Sequence, residues 1–184
     1  MIIQYSHHRD CSRRTWSGPE GSSHKIEFSV RWLFYLKSMT KEELKKILDK
    51  MYTISSYASS IKEIPVSCCL INGKDSFFSI NHVERESNPF SHAEINCLNK
   101  ALLASKAKYL KDSIIVVSLE PCLMCMGAIL KAGVKELYYV QDDPDKGALS
   151  HYHVFVDDVL KVNRIQDERF NSLMNRCFKD IRKK

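Results

Sequence analysis

No run of apolar residues in this 184-residue chain approaches the roughly 20 needed to cross a bilayer, so a membrane-spanning helix is not expected. The first residues lack the layout of a secretory leader. His7, His8, Arg9, Asp10, Arg13 and Arg14 precede no clean apolar core, and the apolar-rich stretch from Val30 to Leu36 is short and broken by Arg31. A disulfide framework is missing too: the seven cysteines are an odd number and their spacing suggests no set of bridges. A reducing cytoplasm is therefore the expected setting. Cys68, Cys69, Cys97 and Cys177 read as small core hydrophobes. Internal repeats and low-complexity tracts are also lacking. What is present, 44% hydrophobic and 27% charged residues, suits one globular domain with an ordinary core.

The chain is not uniform along its length. Residues 1–38 show no clear period and contain Gly18-Pro19-Glu20-Gly21-Ser22-Ser23. They read either as an N-terminal extension with a real accessory role or as a segment ahead of a true start at Met39. The stretch from Phe28 to Lys37 mixes aromatics with Arg31 and Lys37, as a contact with RNA or with a membrane surface would. The unit expected to fold is 39–184. It opens with a capping box, Thr40 and Glu43, and a helix whose Leu44, Ile47, Leu48, Met51, Ser55 and Ala58 share one face. Two apolar runs, Pro65–Ile71 and Ser76–Ile80, flank an Asn72-Gly73 turn and predict a hairpin. A polar loop leads to a helix starting at His92, with Ile95, Leu98 and Leu102 as its buried stripe. Ile114–Leu119 reads as a strand covered on both faces, and the next helix ends near Gly133. Leu137–Val140 is a further strand. The last helix carries Phe170, Leu173, Met174, Cys177, Phe178 and Ile181 on one side. This order implies an α/β fold, a mixed sheet with helices on both faces.

Net charge is +6, which permits an anionic partner without requiring one. Residues 161–184 concentrate it, with eight Lys or Arg against three acids. On charge alone this is a solvated helix face with a basic end.

Two short segments carry chemistry. His92-Ala93-Glu94 is an H-x-E, and Pro121-Cys122-Leu123-Met124-Cys125 is a P-C-x-x-C. Alone, the first is near background and the second could be a redox pair. Together they form the signature of zinc nucleobase deaminases. One imidazole and two thiolates hold zinc while leaving a fourth position open, as a catalytic site requires. Glu94, two residues after His92, stands ready to carry protons. No further cysteine pair of this spacing is present to complete a four-thiolate structural site.

Wider matches extend the reading. Ser118-Leu119-Glu120-Pro121-Cys122-Leu123-Met124-Cys125-Met126-Gly127-Ala128-Ile129 and Asn88-Pro89-Phe90-Ser91-His92-Ala93-Glu94-Ile95 resemble motifs of the cytidine-deaminase-like superfamily, and within it the bacterial tRNA adenosine deaminases. The resemblance covers Met39 to the C-terminus. It implies a three-layer α/β/α fold with a mixed central sheet of about five strands. It implies one Zn²⁺ per chain on His92, Cys122 and Cys125, with Glu94 as proton shuttle and catalytic residue. It implies substrate contacts from Asn81 and Asp143, and RNA contacts from Phe178, Arg182, Lys183 and Lys184. It implies tRNA as partner and a homodimer. The chain departs from the family at Cys68-Cys69, at Asp142, and at Leu149-Ser150-His151-Tyr152-His153. From the residues alone, Asn81 could simply shape a turn and Asp143-Pro144 could be loop chemistry. Three classes stay open: a tRNA-editing enzyme, a free-base deaminase acting on guanine or cytosine, and a non-catalytic RNA-binding paralogue. The third is disfavoured because every catalytic residue type is present.

Overall fold

A computed structural model of the chain describes residues 39–156 and 158–181. Residues 1–38 and the expected RNA contacts Arg182, Lys183 and Lys184 lie outside the described residues.

Helix α1, Lys41–Ser60, starts where the capping box requires. The Thr40 hydroxyl accepts the Glu43 N–H at 3.2 Å, and the Glu43 carboxylate accepts the Thr40 N–H at 2.9 Å. The helix buries Leu48, Met51, Ser55 and Ala58. Strands β1, Ser67–Asn72, and β2, Asp75–Ile80, form the expected hairpin. Its two-residue loop is Gly73-Lys74, one position later than Asn72-Gly73, because Asn72 still pairs with Asp75. Gly73 takes φ +63° and Lys74 stays at negative φ, the pattern of a II′ turn with glycine first. The one-turn helix α2, Val83–Glu86, follows, and then α3, Ala93–Ser105. Strand β3, Ser113–Leu119, leads to helix α4, Leu123–Ala132, which stops at Gly133 with φ +79°. Strand β4 is Glu136–Gln141, strand β5 is Lys161–Arg164, and helix α5 is Glu168–Ile181.

The five strands stand in the order β2-β1-β3-β4-β5. β1 is antiparallel to both neighbours, whereas β3, β4 and β5 run parallel. The sheet is therefore mixed. Adjacent residues of β1 show that both its faces are covered. The Ser55 hydroxyl of α1 donates to the Ser67 hydroxyl at 2.7 Å, while Cys68, on the opposite pleat, meets Cys97 of α3. Cys68, Cys69, Cys97 and Cys177 are all buried, as small core residues should be. On one side α3 and α4 seal a core that includes Leu70, Leu98, Ile115, Val117, Met126, Ile129 and Leu137. On the other, α1 meets α5: the Tyr52 and Phe170 rings lie edge to face at 5.8 Å, and Arg169 reaches Asp49 at 2.7 Å. Burying one such apolar side chain contributes about 1.5–3 kcal/mol, against about 0–1 for an exposed ion pair, so the apolar layers dominate.

Two expectations are corrected, and one strand that the sequence did not reveal is added. The buried stripe of α3 is Ala93, Cys97, Leu98 and Ala101; Ile95 and Leu102 sit half-exposed at its edge. Small residues face the sheet here because helix and strand approach closely. Phe178 is 41% exposed and leaves the buried face formed by Phe170, Leu173, Met174 and Cys177. β5 was not visible in the sequence, since Lys161-Val162-Asn163-Arg164 has no apolar run; it forms because Leu137 and Tyr139 of β4 offer an open pairing edge to Val162 and Arg164.

Candidate metal centre and its two rims

Each half of the motif sits at the start of a helix. His92 is the N-cap of α3 and Cys122 the N-cap of α4, both with extended backbone. Helix N-termini favour negative charge, which suits the carboxylate of Glu94 and the thiolate of Cys122. His92 Nδ1 lies 3.7 Å from Cys122 Sγ and 3.5 Å from Cys125 Sγ. The three donors all fall within 4.8 Å of one another.

This donor set fits zinc. Nitrogen and sulfur ligands at about 2.05 and 2.3 Å around a tetrahedral centre stand about 3.6 Å apart, close to both observed separations. One imidazole with two thiolates is also the mixed set that zinc prefers.

Without a metal, the same side chains share protons among themselves. A hydrogen bond from the Cys125 thiol, opposed by burial and helped by His92, pulls Cys122 down to about 4. Cys125 is pushed well up, first by Cys122 and then by burial. His92 is raised by its hydrogen bond to Cys122. Glu94 is 3% exposed, and burial lifts it to about 7, with its own N–H, His92 and the Cys125 thiol acting against a larger rise. A carboxyl balanced near neutrality beside a metal-binding cluster is suited to moving protons in both directions.

Two loops frame the cluster. The first, 82–91, is closed at its base by the His82 N–H donating to the Ser91 carbonyl at 2.9 Å. Asn81 precedes it, 6% exposed, and its side-chain oxygen accepts the Ala93 N–H at 2.9 Å. Asn81 is thus beside the cluster, with its NH₂ as the group it can present. The second loop, 142–150, crosses the cysteine segment: Gly147 bridges to Cys122, and the Ala148 N–H donates to the Pro121 carbonyl at 2.9 Å. Asp143 sits in this loop. Its Oδ1 accepts the N–H groups of Asp145 and Lys146 at 3.1 and 3.0 Å, so part of its carboxylate shapes the loop itself. Asp143 and Phe178 share a groove of about 640 Å³ together with Asp142, Arg164, Asn171 and Asn175. Arg164 pairs with Asp142 through two bonds of 2.8 and 2.7 Å.

Sequence reasoning missed Glu120. It is 2% exposed and accepts four hydrogen bonds: from the N–H groups of Asp143, Leu149 and Ser150 at 3.0, 2.7 and 2.8 Å, and from the Ser150 hydroxyl at 2.6 Å. Its signal in the sequence was an acid ending the apolar run of β3 directly before the cysteine motif. The departure at Leu149-Ser150 is therefore accommodated, because both residues bind Glu120.

A mixed five-stranded sheet between two helical layers, with one imidazole, two thiols and a buried carboxyl where two helices begin, defines a zinc deaminase fold. Residues 41–141 match the family described as the cytidine and deoxycytidylate deaminase zinc-binding region, and the chain belongs to that family. It is similar to the tRNA-specific adenosine deaminase of Haemophilus influenzae, 30% identical over 134 residues that make up 72% of this chain and 77% of that protein. It is 38% identical to the enzyme of the same name from Rickettsia bellii over 95 residues, 50% of this chain and 66% of the relative. The chain thus spans under two thirds of the Rickettsia relative. A solved structure from work on A-to-I editing by tRNA:A34 deaminases superposes with a TM-score of 0.63 at 22% identity, covering 70% of this chain and 99% of the other. A guanine deaminase from Nitrosomonas europaea gives 0.55 at 15% identity, covering 71% and 80%. At these identities both structures speak to the fold alone.

Proposed function

We propose that the protein is a zinc-dependent hydrolytic deaminase that converts the wobble adenosine of a tRNA anticodon loop to inosine, releasing ammonia. The observation that carries this reading is the cluster of His92, Cys122 and Cys125 donors within 4.8 Å of one another, with the buried carboxyl of Glu94 in the first turn of the helix that His92 caps. The similarity to tRNA-specific adenosine deaminases supplies the substrate class.

His92, Cys122 and Cys125 would hold the metal. Bound there, zinc supplies Lewis acidity that brings the pKa of water from about 15.7 toward about 7. Glu94 accepts one proton from the attacking water and delivers it to ring N1. It then takes the second water proton from the hydroxyl now on C6 and passes it to the amine, so that the C6–N bond breaks, C6 is left as a carbonyl and ammonia departs. Positioned proton transfer of this kind contributes about 10²–10⁴ in rate. The Asn81 NH₂ and the Asp143 carboxylate orient the nucleoside at the two rims. The target base must leave its stack, which costs little in a single-stranded loop. Phe178 offers an exposed ring for an unstacked base, and the basic residues of 161–184, Arg182, Lys183 and Lys184 among them, suit phosphate. The half-exposed apolar groove between α3 and α4, lined by Ile95, Leu98, Leu102 and Ala128, supports association with a second copy. No helix among the described residues is long and apolar enough to cross a membrane, in keeping with a cytoplasmic enzyme.

One observation favours a second reading, a free-base deaminase. The groove that holds Asp143 and Phe178 also carries Asp142, Asp145, Asp167 and Glu168 against the single cation Arg164, a poor surface for phosphate. The test is to incubate the protein with a matched tRNA and, in parallel, with free guanine and free cytosine. Wobble inosine by mass spectrometry, with binding that weakens steeply with salt, supports the proposal. Turnover of a free base with none on tRNA decides for the alternative.

A further inference from the structure

Among the described residues, two buried carboxylates lie outside the donor cluster and its proton carrier Glu94: Glu63, 1% exposed, and Glu120, 2% exposed. Neither belongs to an ion pair among the described residues. A carboxylate taken out of water without a cation is costly unless its oxygens are hydrogen-bonded. Both are satisfied by main-chain N–H groups, and each draws them from a different rim of the site. Glu63 follows α1 and accepts the N–H groups of Glu84 and Arg85 at 3.3 and 2.7 Å. It thereby caps α2 from more than 20 residues away, where the N-cap His82 supplies no side-chain bond. The rest of that loop is braced internally: Glu86 takes the Ser91 hydroxyl at 2.5 Å and faces His82 Nδ1 at 3.1 Å. Glu120 holds the opposite loop at Asp143, Leu149 and Ser150. The fit is close, since a Cβ on Gly147 would stand 2.5 Å from the Glu120 carboxyl carbon.

The first loop runs from Asn81 into His92, and the second crosses Cys122. His92 and Cys122 are 3.7 Å apart, so both loops converge on the donor cluster. We infer that Glu63 and Glu120 are positioning residues, each fixing one of the two loops between which a nucleoside must sit, and neither touching the reacting atoms. This rests on the deaminase reading above and extends it, because it assigns substrate placement to two residues remote from the chemistry. The two loops share no hydrogen bond to either carboxylate, so the two effects are independent.

The experiment uses the full zinc-loaded chain with E63Q, E120Q and the double variant. An amide can accept hydrogen bonds through only one of its two terminal atoms, so each change leaves at least one loop N–H without its acceptor. For tRNA deamination, each single variant raises KM about tenfold, the scale of one lost buried hydrogen bond, and the double variant raises it by about the product of the two. kcat stays within about twofold and zinc content is unchanged. Amide exchange read by mass spectrometry supplies a second measure. E63Q speeds exchange in 82–91 only, and E120Q in 142–150 only. S150A, which spares both carboxylates, gives a weaker form of the E120Q result. Zinc loss, a kcat collapse with KM unchanged, or exchange spreading equally through both loops overturns the inference. If the wild-type chain does not act on tRNA, the tRNA reading fails on its own; loop-confined exchange then still supports the two attachments, and its absence sinks them.

Discussion

The side-chain oxygen of Asn81 accepts the N–H of Ala93 at 2.9 Å, and this one bond ties the end of β2 to the first turn of the helix that carries Glu94. Capping and substrate contact are separable here. Asn81→Asp keeps an oxygen for the Ala93 N–H and removes the NH₂. It should unfold within about 1 kcal/mol of the parent yet lose turnover. Asn81→Ala should lose about 1 kcal/mol as well, the usual worth of a cap. Denaturant titrations beside activity assays check both; equal activity in Asn81→Asp would remove Asn81 from the substrate site.

Cys122 should be the reactive thiol of the metal-stripped protein. Held at about 4, it is a thiolate at pH 6, while Cys69, raised to about 12 by burial and then by Cys97, and the strongly raised Cys125 keep their protons. Brief iodoacetamide treatment at pH 6 followed by peptide mass spectrometry should label Cys122 among these three, and zinc should protect it.

Glu94→Gln should keep about one zinc per chain and lose about 10²–10⁴ in turnover, because Glu94 carries protons and is not one of the three donors. Cys122→Ala should lose metal and activity together. Metal analysis alongside kinetics separates the two roles, and zinc loss in Glu94→Gln would reassign Glu94.

Gly147→Ala should destabilise by about 1–3 kcal/mol, the range for forcing atoms into a packed site. The added methyl would stand 2.5 Å from the Glu120 carboxyl and 2.6 Å from the Asp143 carbonyl. Thermal unfolding of the metal-loaded protein measures it; an unchanged midpoint would mean that the loop relaxes freely.

A pH test addresses the pairing of Asp167 with Arg169 at the start of α5. The Arg169 hydrogen bond, opposed by burial, holds Asp167 below its ordinary 3.8. A depressed carboxyl stabilises the fold above its unfolded value and ceases to do so as pH falls through its folded one. Arg169→Ala should therefore cost about 1 kcal/mol at pH 7, and the gap should narrow as pH drops below about 4. Chemical denaturation at several pH values reads the trend.

The metal centre was legible because its parts are local. H-x-E and P-C-x-x-C each fit within one helix start, and the helix needs no distant residue to present them. The capping box and the period of α1 were readable for the same reason. The frame around the centre was not. Glu63 meets partners 21 and 22 residues away, and Glu120 meets partners 23 to 30 away, so no window along the chain reveals them. β5 is stabilised by an edge that exists only once β3 and β4 have paired. Phe178 matched the apolar period of α5, yet it is 41% exposed and lines the groove that holds Asp143.

β4 and β5 run parallel, so the chain that leaves the sheet above the cysteines must travel back to its other end before pairing again. Residues 142–160 make that return, and among those described none is helical. The return path is a replaceable cassette: its two ends are fixed by strands, and its middle passes the reaction centre. Changes within that stretch can therefore reshape the space beside Cys122 while the three donors, anchored at the starts of α3 and α4, keep their places.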